Sequence, residues 1–485
     1  MNAMQGGLNR EQIGFIGLDI GTSAVKGVLM SAAGTILSRE THKVAYLPAE
    51  SDRVQFDADR LYRSTADVIR RLTHALPPGG TVAGLSIASA SGNTVLVNER
   101  GEPLLPAISW MDSRVRDEIE TVFGKLDAGE VHERVGWPLL KAFPLAHLSW
   151  LKCHAPELLD EADVICMSTD YILFRLTGNW AIDPSTATTM YLQDQQTGKW
   201  HLPTLNALGI PEHKLPPISP TGTVIGQIGT EAARDTGLAR GTPVVLGTFD
   251  HPCSARGAGV VDEGQLLLSC GTSWVGFCPV NDRRRSVELR LLTDPYLHPA
   301  GAWGGMFSLS AIATSIDRYI RRYLSDSPDR YNEFNRLAAS AQHGAGGLVL
   351  DPSRQDGFDK LEGYAKADIA RALMEGTAYL LKRELDRLEA AGMRFTSAAL
   401  VGGPSETHPW PQIVADVLGM EVRTANGSCA GATGAAIVAA IGVGQYADER
   451  DALRQLAFPE MVRVPDRSVR AVYHERYGKF QETYT

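Results

Sequence analysis

A few short stretches of this 485-residue chain carry residue types that could handle a phosphate. Gly21-Thr22-Ser23 and Gly271-Thr272-Ser273 each follow one apolar run and precede another. A Gly-Thr-Ser turn between two strands offers backbone N–H groups and hydroxyls to an anion, and its glycine lets a phosphate come close. Asp19 stands just before the first turn, where it suits a hydrated Mg²⁺, an ion that takes oxygen ligands and keeps several waters. Lys26, three residues after that turn, could reach a phosphate. Asp250 closes the apolar run 242–249 and precedes His251-Pro252. A carboxylate at a strand end is where a general base for a hydroxyl belongs, and equally where a cap for a helix starting near Cys253 belongs. Gly402-Gly403-Pro404 would let a flat ring approach the backbone, or would be a plain strand-to-helix turn capped by Ser405 or Thr407.

The elements that must hold these groups read as follows. Ile13 to Ile20, Val25 to Met30 and Thr35 to Val44 form a strand meander punctuated by Ala33-Gly34. Asp57 to Ala75 places Leu61, Val68, Ile69 and Leu72 at helical spacing. Val82 to Ala88 is a strand, and 108–112 ends another just before a charged helix that starts near Ser113. A second block opens at 243 with a strand into Asp250, then strands at 265–270 and 274–278 around the second Gly-Thr-Ser turn. A long helix covers 365–390, a strand covers 397–401, and helices cover 409–418 and 430–441. Mixed strands and helices in both halves give an α/β class, with domains 1–243 and 244–485. The two Gly-Thr-Ser turns, each followed by valine at the same offset, read as a duplicated phosphate-binding hairpin or as a chance identity.

Composition narrows the function. The net charge of −9 argues against a nucleic-acid partner, which a lysine and arginine surplus would hold. The six scattered cysteines include no Cys-x-x-Cys pair and read as reduced thiols in a cytoplasmic protein. No apolar run is long enough for a membrane partner. The Ser-x-x-Lys matches at Ser23–Lys26 and Ser149–Lys152 lack the partner motifs of a serine acyltransferase. No P-loop, dinucleotide fingerprint, nucleophile elbow or His-Glu-x-x-His occurs.

Taken in order, these residues resemble the FGGY carbohydrate kinase family of the sugar kinase, actin and heat-shock ATPase superfamily, over nearly the whole chain. Gly17-Leu-Asp-Ile-Gly-Thr-Ser23 looks like that family's first phosphate motif, Gly271-Thr-Ser273 like its second, and Gly402-Gly403 like its adenosine motif. Asp250 sits where the family has its catalytic aspartate, Trp110-Met-Asp112-Ser-Arg114 is similar to the segment after its sugar loop, and Ala367 to Leu380 resembles its second-domain signature helix. The resemblance implies two ribonuclease-H-like, actin-like ATPase domains with an inter-domain cleft where ATP, Mg²⁺ and a small sugar or polyol meet. It places Gly21, Thr22, Ser23, Lys26, Gly271, Thr272, Ser273, Gly402 and Gly403 on ATP, and Asp19 on the metal. Ser89, Ser91, Asn93, Trp110, Asp112, Lys141 and Asp250 fall on the substrate side, Lys141 equally as a solvated side chain. The sugar loop departs from the family: Ala88 to Thr94 has neither the Arg-Glu pair of glycerol kinases nor the Gln-Met-His-Gly run of xylulokinases. Its uncharged hydrogen-bonding groups suit a neutral polyol or ketose. A homodimer is compatible with this reading. The rival is a catalytically silent sugar sensor or scaffold on the same fold.

Overall fold

The computed structural model describes residues 9–484 apart from 49–51, 125, 272–273, 310, 355–360, 457 and 459. The chain divides into two units, the first built from residues within 1–257, 281–304 and 431–458, the second from 258–280, 305–430 and 459–485. The strands of the first are β1 (Ile13–Ile20), β2 (Ala24–Ser31), β3 (Ile36–Lys43), β4 (Thr81–Ser89), β5 (Val224–Gln227) and β6 (Pro243–Phe249). Those of the second are β7 (Gln265–Cys270), β8 (Trp274–Val280), β9 (Trp303–Leu309), β10 (Ser397–Gly402), β11 (Glu421–Ala425) and β12 (Glu460–Arg463). The helices that matter below are α1 (Ala58–His74), α2 (Pro144–His154), α3 (Ser168–Thr177), α4 (Asp250–Gly257), α5 (Lys366–Ala390), α6 (Ala430–Gly442) and α7 (Arg470–Tyr484).

The two sheets repeat one plan. The first runs β5-β6-β4-β1-β2-β3, and the second contains the run β12-β11-β10-β7-β8-β9. In each, a central strand pairs antiparallel with the next strand of its hairpin and parallel with a later strand: β1 with β2 and β4, β7 with β8 and β10. A further parallel strand and an antiparallel edge follow on that side in both. The echo between the Gly-Thr-Ser turns therefore corresponds to matching hairpins.

Local sequence explains the elements. α1 buries Leu61, Val68, Ile69 and Leu72, the residues its spacing selects, and Asp57 caps it by accepting the Arg60 N–H at 2.8 Å. The charged helix after Asp112 begins at Glu118, not near Ser113. Arg114 instead turns back to grip Asp112 through Nε and Nη2, both at 2.8 Å, which holds 113–117 out of helical geometry. α6 has the sequence AGATGAAIVAAIG, and its small residues allow backbone contact with the first sheet. A methyl on Gly17 would stand 1.9 Å from the Ala432 carbonyl oxygen, and one on Gly434 1.8 Å from that of Cys253. Among the described residues no helix is long and apolar enough to cross a membrane.

Candidate active site

In the first unit β1, β4 and β6 are mutually parallel, so their C-terminal ends fall on one edge of the sheet. Ile20 pairs with Ser89, and Ser89 with Phe249, so register alone brings together Asp19, the loop after Ser89 and Asp250. Lys26 lies directly across the hairpin from Asp19. Ligands of open α/β sheets bind at such carboxyl ends.

Electrostatics mark the same place. Burial, and then the neighbouring Asp250 charge, push Asp19 up to about 7, with Lys26 pulling the other way. Asp250 is also raised, by burial, against the pull of His251 and Lys26. It opens α4 and accepts the N–H of the adjacent His251 on Oδ1 at 2.7 Å. Gly431, in the first turn of α6, leaves room for the Asp19 carboxylate: a methyl there would lie 2.7 Å from Oδ2. The half-buried Asp19 carboxylate offers oxygen ligands that a divalent cation fits, and such an ion would relieve the Asp250 repulsion that helps to raise it.

The first turn is a tight one, with Gly21 N–H donating to the Ala24 carbonyl at 3.0 Å and Ser23 exposed. Its Thr22 is held twice. Trp110 Nε1 donates to Thr22 Oγ1 at 3.2 Å, and Tyr46 Oη donates to the Thr22 carbonyl at 3.0 Å. A pocket lined by Gly21, Thr22, Tyr46, Asn93, Trp110 and Ser168 joins this turn to the loop after β4. Ser91 and Asn93 are both buried, and the Ser89 side chain lies outside the described residues.

Two predicted residues are engaged elsewhere. Both Asp112 oxygens are taken by Arg114, and Oδ2 also accepts the Val54 N–H at 2.8 Å. Burial alone would raise this carboxyl, but the Arg114 fork and the two backbone N–H groups hold it below the ordinary range. Lys141 is a surface residue, its Nζ 3.0 Å from Glu120 Oε1 and 3.8 Å from Asp117 Oδ1.

In the second unit Cys270 pairs with Gly402, so the turn at Gly271 lies beside Gly402-Gly403. Gly402 has φ +93° and no room for a side chain, since a methyl would stand 2.3 Å from the Cys270 carbonyl oxygen. Gly403 faces open space. That suits close approach of a flat ring. Thr272 and Ser273 lie outside the described residues.

Tyr46, Phe143, His147 and Ser168, absent from the sequence-based set, belong to this region too. Ser168 opens a helix, a signal visible in sequence; the others are reached only through tertiary packing.

Known proteins resemble the chain along nearly its full length. Residues 15–257 match the N-terminal domain of the FGGY family of carbohydrate kinases, and residues 266–443 match its C-terminal domain. The xylulose kinase of Escherichia coli is 27% identical over 484 residues, covering 97% of this chain and 98% of the relative. The L-xylulose/3-keto-L-gulonate kinase of Escherichia coli is 26% identical over 481 residues, covering 96% of each. The autoinducer-2 kinase of Yersinia enterocolitica is 27% identical over 516 residues, covering 96% of this chain and 93% of the relative. Among solved structures, xylulose kinase from Rhodospirillum rubrum superposes with a TM-score of 0.82 at 25% identity, covering 97% of this chain and 98% of the other.

Proposed function

The chain belongs to the FGGY family of carbohydrate kinases, ATP-dependent enzymes that use Mg²⁺, and from that premise we propose that Asp250 is the base that activates a hydroxyl of a small neutral sugar or polyol. The observation that carries the reading is the meeting of Asp19, the loop after Ser89 and Asp250 at the carboxyl ends of three parallel strands. Burial raises the basicity of Asp250, which improves it as a proton acceptor near neutral pH.

In this mechanism a substrate hydroxyl donates its proton to the Asp250 carboxylate as its oxygen attacks the γ-phosphorus of ATP. The bond from that phosphorus to the bridging oxygen breaks, and ADP leaves with the electron pair. Asp19 would hold Mg²⁺, which neutralises charge on the phosphates when bound. Lys26, the turn at Gly21 to Ser23 and the second turn at Gly271 to Ser273 would hold phosphate oxygens, and Gly402-Gly403 would take the adenosine. Ser89, Ser91, Asn93 and Trp110 would contact the sugar. The uncharged hydrogen-bonding groups of Ser89, Ser91 and Asn93 support a neutral substrate, in a stretch that carries neither the glycerol-kinase nor the xylulokinase signature.

The test is ADP formation from Mg²⁺-ATP with a panel of ketoses, aldoses and polyols, the products identified by mass. One or a few strongly active neutral compounds are expected. Strong activity on sugar acids with none on neutral sugars would overturn the substrate class.

A further inference from the structure

Residues 109–112 form a turn that is pinned at both ends. Ser109 N–H donates to the Val54 carbonyl at 3.0 Å, and Asp112 N–H closes the turn on the Ser109 carbonyl, also at 3.0 Å. Asp112 Oδ2 accepts the Val54 N–H at 2.8 Å, and Arg114 grips the same carboxylate, both side chains being buried. The Asp112–Arg114 pair therefore fixes the backbone that carries Trp110.

From that fixed position Trp110 reaches the first phosphate turn. It lines the pocket with Asn93, Ser109 and Ser168, and its Nε1–H donates to Thr22 Oγ1 at 3.2 Å. The Thr22 carbonyl is held separately by the Tyr46 hydroxyl at 3.0 Å, and the Ser109 side chain hydrogen-bonds that hydroxyl. Two successive residues thus hold one threonine, Trp110 directly and Ser109 through Tyr46. An indole N–H can only donate, so Thr22 Oγ1 must accept from it and cannot turn its own proton that way. Among the described residues none accepts that proton, and Thr22 is only half-buried. Its O–H is left to donate to a ligand oxygen.

Resting on the kinase reading above, we infer that Trp110 is a positioning residue for phosphoryl transfer, its indole N–H holding the Thr22 hydroxyl as a donor aimed at a phosphate oxygen of ATP. The protein makes no covalent bond to the transferring group, so donors set in place beforehand carry much of the rate. A threonine hydroxyl without this tie must be oriented anew in each turnover, and its contribution falls. Trp110 acts in this way on the phosphate end of the reaction through Thr22, separately from any contact of its ring with the sugar.

The experiment is a double-mutant cycle of Trp110→Phe and Thr22→Val on the best substrate of the panel, with the single-turnover rate and the KM for sugar measured for each protein. Trp110→Phe keeps an aromatic ring and removes the N–H. It should slow the single turnover by roughly three- to tenfold, the scale of one hydrogen bond, and change the KM for sugar less than that. In Thr22→Val, which lacks the hydroxyl, the same substitution should slow the reaction no further. Equal slowing by Trp110→Phe in both backgrounds, an effect confined to the KM for sugar, or no effect at all overturns the inference and leaves the kinase reading intact. A folded wild type that phosphorylates none of the panel defeats both. Should Trp110→Phe or Thr22→Val not fold, the same cycle is completed with Thr22→Ala and with benzothienylalanine in place of Trp110, which keeps the indole outline without the N–H.

Discussion

In the second unit Arg371 and Glu375 lie one helical turn apart on α5, both buried, with Arg371 Nε donating to Glu375 Oε1 at 2.7 Å. The same oxygen accepts the Gly344 N–H at 3.0 Å and the Tyr473 hydroxyl at 3.1 Å. Arg371 also donates to Tyr473 Oη at 2.8 Å and, at 3.3 Å each, to the Ala338 and Ala341 carbonyls. Burial alone would lower the Arg371 pKa, but Tyr473 and Glu375 raise it, while burial raises Glu375 against the pull of Arg371, Gly344 and Tyr473. In the first unit, by contrast, the neighbouring charge is of the same sign: Asp250 adds to the burial that raises Asp19. Opposite charges with several hydrogen-bond partners join α5 to α7 and the loop at Gly344, whereas the two like charges share one sheet edge with Lys26 pulling against both upward shifts. Burial of charge is therefore a guide to function only once its partners are counted.

Breaking the first arrangement should cost stability and breaking the second should cost turnover. The largest expected effect on stability is at Arg371. Arg371→Met leaves Glu375 buried and uncompensated and should destabilise the protein by about 3–5 kcal/mol, read from denaturant unfolding, with kcat per folded molecule little changed. Unchanged stability would mean that the pair is not what holds α7 in place. Asp19→Asn should behave in the opposite way. Its melting temperature should hold or rise, while activity at a fixed low Mg²⁺ concentration falls on the order of a hundredfold, as expected for loss of a charged group that anchors a metal. A large drop in melting temperature with Mg²⁺ dependence intact would place Asp19 with the structural charges.

The last effect is a slope. Asp19 titrates near 7 in the folded protein, above the ordinary carboxylate value of 3.8, so the folded state holds a proton that the unfolded chain has released across that window. Stability should therefore decline as pH rises from about 4 to about 7, and Asp19→Asn should flatten that decline. Mg²⁺ competes with the same proton, so the ion should raise the melting temperature more at pH 8 than at pH 5.5. Equal gains at both pH values would remove Asp19 as its ligand.

How far the sequence alone reaches differs between these regions. Elements with a short period were legible: α1 through Leu61, Val68, Ile69 and Leu72, and the hairpins through their apolar runs around the Gly-Thr-Ser turns. The repeat of those turns pointed to the repeated strand order. The facing of Asp19 and Lys26 follows from the hairpin itself, because a tight turn places residues on either side of it opposite each other. What joins distant residues was not. Asn93 meets Ser168 across 75 positions, and Arg256 of α4 donates to Glu449 at 2.8 Å across 193, which helps tie the segment 431–458 to the first unit. Side chains with two ordinary uses, such as Asp112 and Lys141, could not be sorted by type or spacing. Arg114 lies two residues from Asp112, and Glu120 and Asp117 lie 21 and 24 residues before Lys141, but nothing in the residue types says which carboxylate or cation will turn inward.

The central assignment rests on Asp250, and Asp250→Asn tests it most directly when binding and chemistry are measured apart. ATP affinity, followed by calorimetry, and sugar phosphate formed in a single turnover should be compared with the wild type on its best substrate. Near wild-type ATP binding with turnover reduced by roughly a hundredfold or more is the predicted result. Sugar phosphate formed at the wild-type rate would contradict the account and place the base elsewhere.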